Sequence, residues 1–312
     1  MTKTYRRLRL ILGDQLNPRH SWYRDKDADT LYVIAELHQE TGYTVHHIQK
    51  ICAFFAAMAA FATALGQAGH QVLHLDLDAT QADASLPDLL TRLIAEYQIV
   101  DLEYQLPDEY RLRTQIVSFA GSAPVTATAF ETEHFFLSDH ELPQYFKSGK
   151  RHQMEAFYRK LRVRFEILME GAAPQGGQWN FDADNRNKLK ATELDQIPDP
   201  LLFSNDVSAI LERLKRHGIS TMGESMEQLP WPINRQQANA LLEHFCRHAL
   251  PRFGQYQDAM TGKLAASDQA RQWTLFHSRL SFALNCKVLD PQQVIRVAIE
   301  HYQADSRGQR IG

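Results

Sequence analysis

Residues 273–285, WTLFHSRLSFALN, carry hydroxyl groups, an amide and a guanidinium on a largely apolar segment. The pattern predicts one helix, on which Thr274, Ser278, Ser281 and Asn285 share a stripe at i, i+4, i+7 and i+11. Hydroxyl and amide groups beside Arg279 would suit a bound phosphate or diphosphate, because Arg donates paired hydrogen bonds to such oxygens. The segment is therefore a candidate ligand site.

Arg279 separates two interpretations of this segment. On a packed helix its neighbours one turn away are Leu275 and Phe282, so the guanidinium would point inward and would need an anionic partner. That partner is either a bound ligand or a carboxylate of the chain such as Asp290 or Glu243, with the hydroxyls bonding back to the preceding turn. The pattern alone leaves both interpretations open.

A second candidate region combines basic and aromatic side chains between residues 142 and 199. Residues 142–164 are predicted to be helical and interleave Lys and Arg with Tyr and Phe, and the segment that follows is poor in regular structure. In it, Trp179 stands beside Asn180 and Arg186, which places a stacking ring next to phosphate-binding groups, as in nucleic-acid grooves. The alternative is a connecting segment between domains, whose aromatic rings pack against the core.

Strand and helix patterns alternate over the first 131 residues, before these candidate regions. Residues 31–35 are apolar throughout, as expected of a strand that is covered on both faces. The alternation predicts an α/β doubly wound parallel sheet. Strands are predicted at residues 8–12, 31–35, 71–77, 99–104 and 125–130, and helices at residues 47–66, 86–97 and 108–119.

Two short polar runs follow the first two predicted strands. In a doubly wound sheet ligands bind beyond the carboxyl ends of the strands, where Gly13-Asp14-Gln15-Leu16 and the run from Glu36 to Glu40 would lie. Gly13 would allow the backbone to approach a ligand closely. The chain has neither GxGxxG nor GxxxxGK[ST], so the runs are either a ligand rim without a known fingerprint or ordinary turns.

The second half of the chain contains helix patterns only. Helices are predicted at residues 207–217, 235–250, 273–285 and 291–302, which indicates an all-α region. We therefore predict three parts: an α/β domain over residues 1–131, a long connector over residues 132–200 and a helical domain over residues 201–312.

Composition restricts the classes of function. The net charge of −3 gives no overall attraction to nucleic acid or to acidic membranes, so DNA contact would need a local basic patch. The three cysteines are far apart and form no zinc pattern, and the adjacent His46 and His47 cannot point to one site. The longest apolar run, residues 51–65, is shorter than a bilayer span. We expect a cytoplasmic protein without a membrane segment and without a metal site in this chain.

Several motifs in a fixed order resemble one protein family. They are RLILGDQLN (residues 9–17), MEAFYRKLR (154–162), GGQWNFDADNR (176–186), FGQYQDAM (253–260) and LFHSRLSFALN (275–285). The chain is similar to the photolyase and cryptochrome superfamily, and most closely to the deoxyribodipyrimidine photolyase-related branch. That branch comprises the bacterial six-four photolyases and cryptochromes that carry an iron-sulfur cluster.

The resemblance implies light-driven repair of pyrimidine (6-4) photoproducts in UV-damaged DNA by a lyase that uses FAD and an antenna, 6,7-dimethyl-8-ribityllumazine. It assigns FAD binding to Tyr256, His277, Ser278, Arg279, Leu280, Ser281 and Asn285. It assigns antenna binding to Gly13, Asp14, Gln15, Leu16 and Glu36. DNA contact falls to Arg151, Arg159, Arg162, Trp179, Asn180 and Arg186. No residue is assigned to the catalytic step.

The resemblance also includes departures from the family. The family holds its cluster with four cysteines, none matched by the three here, and it continues beyond the position of Gly312 with helices that close over the flavin. We therefore expect the 312-residue chain alone to bind the antenna, to carry little FAD and no iron, to lack repair activity and to self-associate through an incomplete helical domain. Two alternatives remain: a cryptochrome-type blue-light receptor without repair activity, and a nucleotide-binding protein of the same α/β architecture.

Overall fold

The computed structural model describes residues 3–181, 185, 187–265 and 268–304. The strands are β1 (Arg7–Ile11), β2 (Thr30–Ala35), β3 (His46–His47), β4 (Gln71–Leu75), β5 (Asp101–Gln105), β6 (Thr126–Phe130), β7 (Met169–Glu170), β8 (Ala173–Pro174), β9 (Asn205–Asp206), β10 (Thr221–Met222) and β11 (Gln228–Leu229).

The α-helices follow the same chain order. They are α1 (His38–Gly42), α2 (Ile48–Gln67), α3 (Leu86–Tyr97), α4 (Tyr110–Ser122), α5 (Leu142–Tyr145), α6 (Met154–Arg164), α7 (Ala191–Leu194), α8 (Ser208–Arg216), α9 (Arg235–His244), α10 (Leu250–Tyr256), α11 (Gln269–Thr274), α12 (Ser281–Asn285) and α13 (Pro291–Ala304). A π-helix, Phe245–Ala249, joins α9 to α10.

A five-stranded parallel sheet with the order β4-β2-β1-β5-β6 organises the first part of the chain. All residues of β2 except Ala35 are buried, because this strand is covered on both faces. The predicted α/β doubly wound sheet is confirmed, and so is the helical region that follows it. The carboxyl ends of β1 and β2 are adjacent, in register from Arg7 and Thr30 onward.

Local sequence signals explain the helices that flank the sheet. Helix α3 begins after Ser85, whose side chain accepts a hydrogen bond from the Asp88 amide, and it ends at Gln98, which takes the left-handed conformation. Helix α2 has no such capping serine, and the His47 ring accepts from the Gln49 amide instead. Leucines of α3 pack with Leu8, Leu102 and their neighbours in one hydrophobic core.

Helix α2 spans 20 residues and is apolar enough to cross a membrane by length and composition. Its bounds lie within one residue of the helix predicted at residues 47–66, and it extends beyond the 15-residue apolar run inside it. Ten of its side chains are buried, among them Phe55, Met58 and Phe61, and the helix packs against β4. A core helix of a folded domain has these properties.

The chain forms two compact units, each made of separate segments. The sheet unit contains residues 1–134, 202–238 and 281–290, and the helical unit contains residues 135–201, 239–280 and 291–312. The sheet unit thus includes α8 and α12 from the second half of the chain. The division into three consecutive domains remains a prediction.

The region after residue 200 is not purely helical. Two-residue strands β9 and β11 pair antiparallel, and β10 pairs in parallel with β3 near the start of α2. These pairs are too short to produce a periodic pattern in the sequence, so the expectation of helices alone was wrong for residues 201–238.

Candidate functional site

A pocket of about 220 Å³ lies in the sheet unit at the carboxyl ends of β1 and β2. Its apolar wall comes from the end of β1, from α2 and from α4, and its polar rim comes from the two loops, α1, α2 and the start of α4. The apolar wall includes Leu12, Ile51, Phe54, Phe55, Met58 and Leu112. The polar rim includes Asp14, Glu36, Glu40, Lys50, Glu109 and Arg111. Such a lining suits a planar apolar ring with a polar chain attached.

Gly13 brings the backbone of the first loop against the pocket wall. A Cβ atom at this position would lie 3.0 Å from the Met58 sulfur and 3.6 Å from a ring carbon of Phe54. Both of these residues line the pocket. A larger side chain at Gly13 would therefore project into space that a ligand needs.

Asp14 is held at the pocket by a buried lysine. The Lys287 ammonium donates to the Asp14 carbonyl at 2.7 Å and to the Asp108 carboxylate at 2.6 Å, and it lies 3.6 Å from the Asp14 carboxylate. Burial raises the pKa of Asp14, although the Lys287 charge opposes that shift. The sequence offered no signal for a contact between Lys287 and Asp14, which are more than 270 positions apart.

Glu36 belongs to the pocket lining, its side chain is fully buried, and it forms a paired ion bridge with Arg213 of α8. The guanidinium donates to the two carboxylate oxygens at 3.0 and 2.8 Å, and the Leu77 amide donates to one of them at 3.1 Å. Burial raises the pKa of Glu36 to about 6, which Arg213 only partly opposes. The pair fixes α8 to the sheet rim.

The other two residues of the first loop lie beneath the pocket and do not line it. Gln15 is completely buried, where its oxygen accepts from the Leu12 amide and its amide donates to the Gln105 carbonyl. Leu16 is also completely buried, and its amide donates to the Cys286 carbonyl. Both therefore shape the loop that carries Gly13 and Asp14.

The rim includes a charged group that sequence reasoning did not assign to it. Arg111 donates to both oxygens of Glu40, at 3.2 and 2.8 Å, and lies 3.6 Å from Glu109. Its guanidinium also lies 4.4 Å from the centre of the Tyr43 ring. Two carboxylates therefore lie beside this one cation. The other cation of the rim, Lys50, contacts a ring nitrogen of His46 at 3.2 Å.

Residues 273–285 do not form one helix, so the predicted stripe is wrong. Leu275 has φ 44° and Arg279 has φ 55°, both in the left-handed region, and they separate α11 from α12. The chain therefore turns twice where the sequence predicted continuous helix. No glycine or proline marks these turns.

Arg279 donates to the Leu201 carbonyl at 2.8 Å, and its guanidinium lies 5.7 Å from the centre of the Trp273 ring. Burial lowers its pKa. Glu243, which lies in the same unit as Arg279, pairs with Arg247 and His301 instead, so the alternative of an ion pair with Glu243 was wrong. Asp290 belongs to the sheet unit, where it pairs with Arg19.

The residues expected to bind FAD fall in both compact units. Tyr256, His277, Ser278, Arg279 and Leu280 belong to the helical unit, and Ser281 and Asn285 belong to the sheet unit. Tyr256 stacks on Phe276 and donates to Glu193 at 2.6 Å. Within the described part of the helical unit, the cavity beside Ser278 and Arg279 measures about 10 Å³, which is too small for FAD.

The connector residues play different structural roles. Arg162 is buried and donates to the carbonyls of Ile167, Leu168 and Trp179, so its charge is turned inward. Arg159 pairs with Glu155 on the surface, and both arginines lie within 5.5 Å of the Trp179 ring centre. Arg162 therefore supports the loop, and its predicted DNA contact has no structural support.

The remaining members of the predicted DNA set are spread over the helical unit. Trp179 and Asn180 line a cavity of about 760 Å³, whose lining has six amide side chains including that of Asn180. The buried Asn185 side-chain oxygen in this cavity has no hydrogen-bond partner among the described residues. Arg151 is exposed and lines a different pocket. Arg186 lies outside the described residues.

The family model for deoxyribodipyrimidine photo-lyase-related proteins matches residues 9–229. The chain belongs to this family. A (6-4) photolyase of Agrobacterium fabrum is 32% identical over 297 residues, which cover 94% of this chain and 56% of the relative. An uncharacterized mimivirus protein, R852 of Acanthamoeba polyphaga mimivirus, is 26% identical over 174 residues, covering 53% of this chain and 86% of its own length.

A solved structure has an architecture similar to that of this photolyase-related chain. A bacterial class III photolyase from Agrobacterium tumefaciens matches with a TM-score of 0.50 and 13% identity, over 99% of this chain and 55% of that one. This likeness supports the architecture alone. The chain spans about half the length of the (6-4) photolyase and of the solved photolyase that it matches.

The photolyase-related fold thus brings part of the predicted antenna set together. Gly13, Asp14 and Glu36 line one pocket, and Gln15 and Leu16 support it from below. Sequence reasoning missed the α2 wall and Arg111. The Phe- and Ala-rich pattern of α2 was visible, but it did not show which face would meet the rim. No group of three or more His, Cys, Asp or Glu suited to a metal was found in the described part of the chain.

Proposed function

We propose that this protein is a photolyase-type enzyme that repairs pyrimidine (6-4) photoproducts in DNA under light, with FAD as its cofactor and 6,7-dimethyl-8-ribityllumazine as its antenna. Membership of the photolyase-related family supports the reaction class. The pocket at the carboxyl ends of β1 and β2 is the observation that carries the antenna assignment.

The chemistry of the pocket favours a small uncharged chromophore with hydroxyl groups. Its apolar wall, from Leu12 to Met58, suits a fused ring, and its volume of about 220 Å³ is below the range of roughly 300 to 1,000 Å³ that is usual for whole ligands. A ring would therefore occupy the pocket while a ribityl chain lies in the rim. The carboxylates of Glu40 and Glu109 could accept hydrogen bonds from ribityl hydroxyls. They also offset the charges of Arg111 and Lys50, so these four groups give no net positive charge that would favour a phosphate or carboxylate tail.

FAD enters the proposal through family membership alone, since the cavity beside Ser278 and Arg279 in the described part of the helical unit measures only about 10 Å³. DNA binding is included in the proposal because of the connector, where basic and aromatic side chains concentrate. We place the protein in the cytoplasm, since its three cysteines are free and buried.

Repair in light and not in darkness is the result that we expect from the full-length protein. An oligonucleotide with one (6-4) photoproduct would be incubated with the protein and reduced FAD, under blue light or in darkness, and restored pyrimidines measured by mass. The lesion should disappear only in light. The lesion could instead persist under light although the protein binds flavin and the damaged oligonucleotide. That result would contradict the proposal and would favour a blue-light receptor.

A further inference from the structure

Helix α6 has a second face, which lines the pocket that contains Arg151 and is separate from the cavity beside Trp179. The face with Glu155, Tyr158 and Arg162 borders the larger cavity, whereas Gln153, Ala156, Phe157 and Lys160 point to the other side. The second pocket has a volume of about 420 Å³ and lies within the helical unit. Its remaining lining residues are Tyr145, Phe146, Arg151 and His152.

Aromatic rings form one wall of this pocket. The ring centres of Phe146 and Phe157 are 4.6 Å apart, those of Tyr145 and Phe157 are 5.5 Å apart, and those of Phe146 and His152 are 5.3 Å apart. Phe146 and Phe157 are only half-buried, so part of their ring surface faces the pocket. A half-exposed group of rings is a surface on which a planar base can stack.

Two exposed cations stand at the pocket without partners. In the part of the chain that the structure describes, no hydrogen bond or ion pair holds the side chain of Arg151 or Lys160. By contrast, Arg159 is paired with Glu155 and Arg164 with Glu141. Because the lining contains no carboxylate, the pocket keeps a net positive charge that suits a phosphate.

We infer that this pocket binds a single unstacked nucleotide of a DNA strand, with the base against Phe146 and Phe157 and a phosphate at Arg151 and Lys160. The inference rests on the proposed DNA-repair function and adds to it a site for an undamaged nucleotide. Bases in a duplex are stacked and paired, so the pocket favours single-stranded or locally opened DNA.

The test measures binding of a fluorescein-labelled oligothymidylate by anisotropy over a range of salt concentrations. In the Arg151→Gln/Lys160→Gln variant we expect the salt slope to fall by about 0.7 for each phosphate that the protein no longer neutralises. The matched control is Lys215→Gln, an exposed lysine of α8, which should leave the slope unchanged. Phe146→Ala should weaken single-strand binding roughly tenfold and duplex binding little, and Phe146→Trp should preserve both.

The outcomes show whether the nucleotide-pocket inference, the proposed repair function or both are wrong. Wild-type affinity in both Phe146→Ala and the double charge variant would overturn the pocket and leave the repair proposal standing. Full displacement of the strand by thymidine monophosphate at a comparable nucleotide concentration would assign the pocket to free nucleotides and overturn the inference as stated. No DNA affinity in the unaltered full-length protein would overturn both proposals.

Discussion

Replacing Arg213 by Met is expected to lower the free energy of unfolding of the sheet unit by about 3 to 5 kcal/mol at neutral pH, because it leaves a buried carboxylate without its cation. Glu36 has no exposed side-chain surface, and Arg213 supplies two of its three hydrogen bonds. Urea unfolding followed by far-UV circular dichroism measures the effect. The control Lys215→Met, on the exposed side of the same helix, should change the free energy by less than about 0.5 kcal/mol.

The pH dependence of the free energy of unfolding distinguishes an unpaired Glu36 carboxylate from poorer packing as the cause of the destabilisation. Because the folded pKa of Glu36 is raised from 4.5 to about 6, the stabilising effect of its neutral form is complete below pH 4.5 and is lost as the pH rises through 6. Removing Arg213 takes away the charge that opposes this shift, so the destabilisation in Arg213→Met should be smaller at pH 4.5 than at pH 7.5. Glu36→Gln/Arg213→Met should recover most of the stability. An equal destabilisation at both pH values would show that the change in packing dominates.

Replacing Arg162 by Ala is expected to destabilise the helical unit by about 3 kcal/mol or more, since hydrogen bonds to a charged group contribute roughly 1.5 to 3 kcal/mol each. Arg162 donates to Ile167 at 3.0 Å and to Leu168 at 2.6 Å, and its hydrogen bond to Trp179 at 3.4 Å is longer. The variant leaves these carbonyls partly unsatisfied. Thermal unfolding followed by tryptophan fluorescence measures the change.

Arg159→Ala is the matched control for Arg162→Ala. Arg159 lies as close to the Trp179 ring, but it is exposed, and among the described residues it is bonded only to Glu155, so its removal should change stability by less than about 1 kcal/mol. Equal melting temperatures for the two variants would contradict the structural role of Arg162. If that role holds, weaker DNA binding by Arg162→Ala cannot be attributed to the removal of a phosphate-binding group.

The sheet could be predicted from the sequence because its signals are local. Apolar strands alternate with amphipathic helices, and α3 was predicted with the bounds that the structure has, since Ser85 and the residues after it carry cap and periodicity together. The position of the candidate pocket after β1 and β2 followed from topology, which fixes where the carboxyl ends of neighbouring parallel strands meet.

The parts that the sequence did not predict depend on contacts between distant residues. The Glu36–Arg213 pair joins positions 177 apart, and no local pattern distinguishes Arg213 from the other basic residues of α8. The break in residues 273–285 has a different cause. Leu275 and Arg279 adopt left-handed backbone angles that their residue types rarely take, so only the packed structure selects them.

Whether the pocket at the carboxyl ends of β1 and β2 holds the antenna is tested most directly by titrating the purified protein with 6,7-dimethyl-8-ribityllumazine and following the ligand's fluorescence. We expect saturable binding at one site per chain. Gly13→Leu should abolish it, because the new side chain fills the space beside Met58 and Phe54. Gly66→Leu, at an exposed position with open space around it, should bind as the unaltered protein does. Undiminished binding by a folded Gly13→Leu protein would contradict the assignment of the chromophore to this pocket.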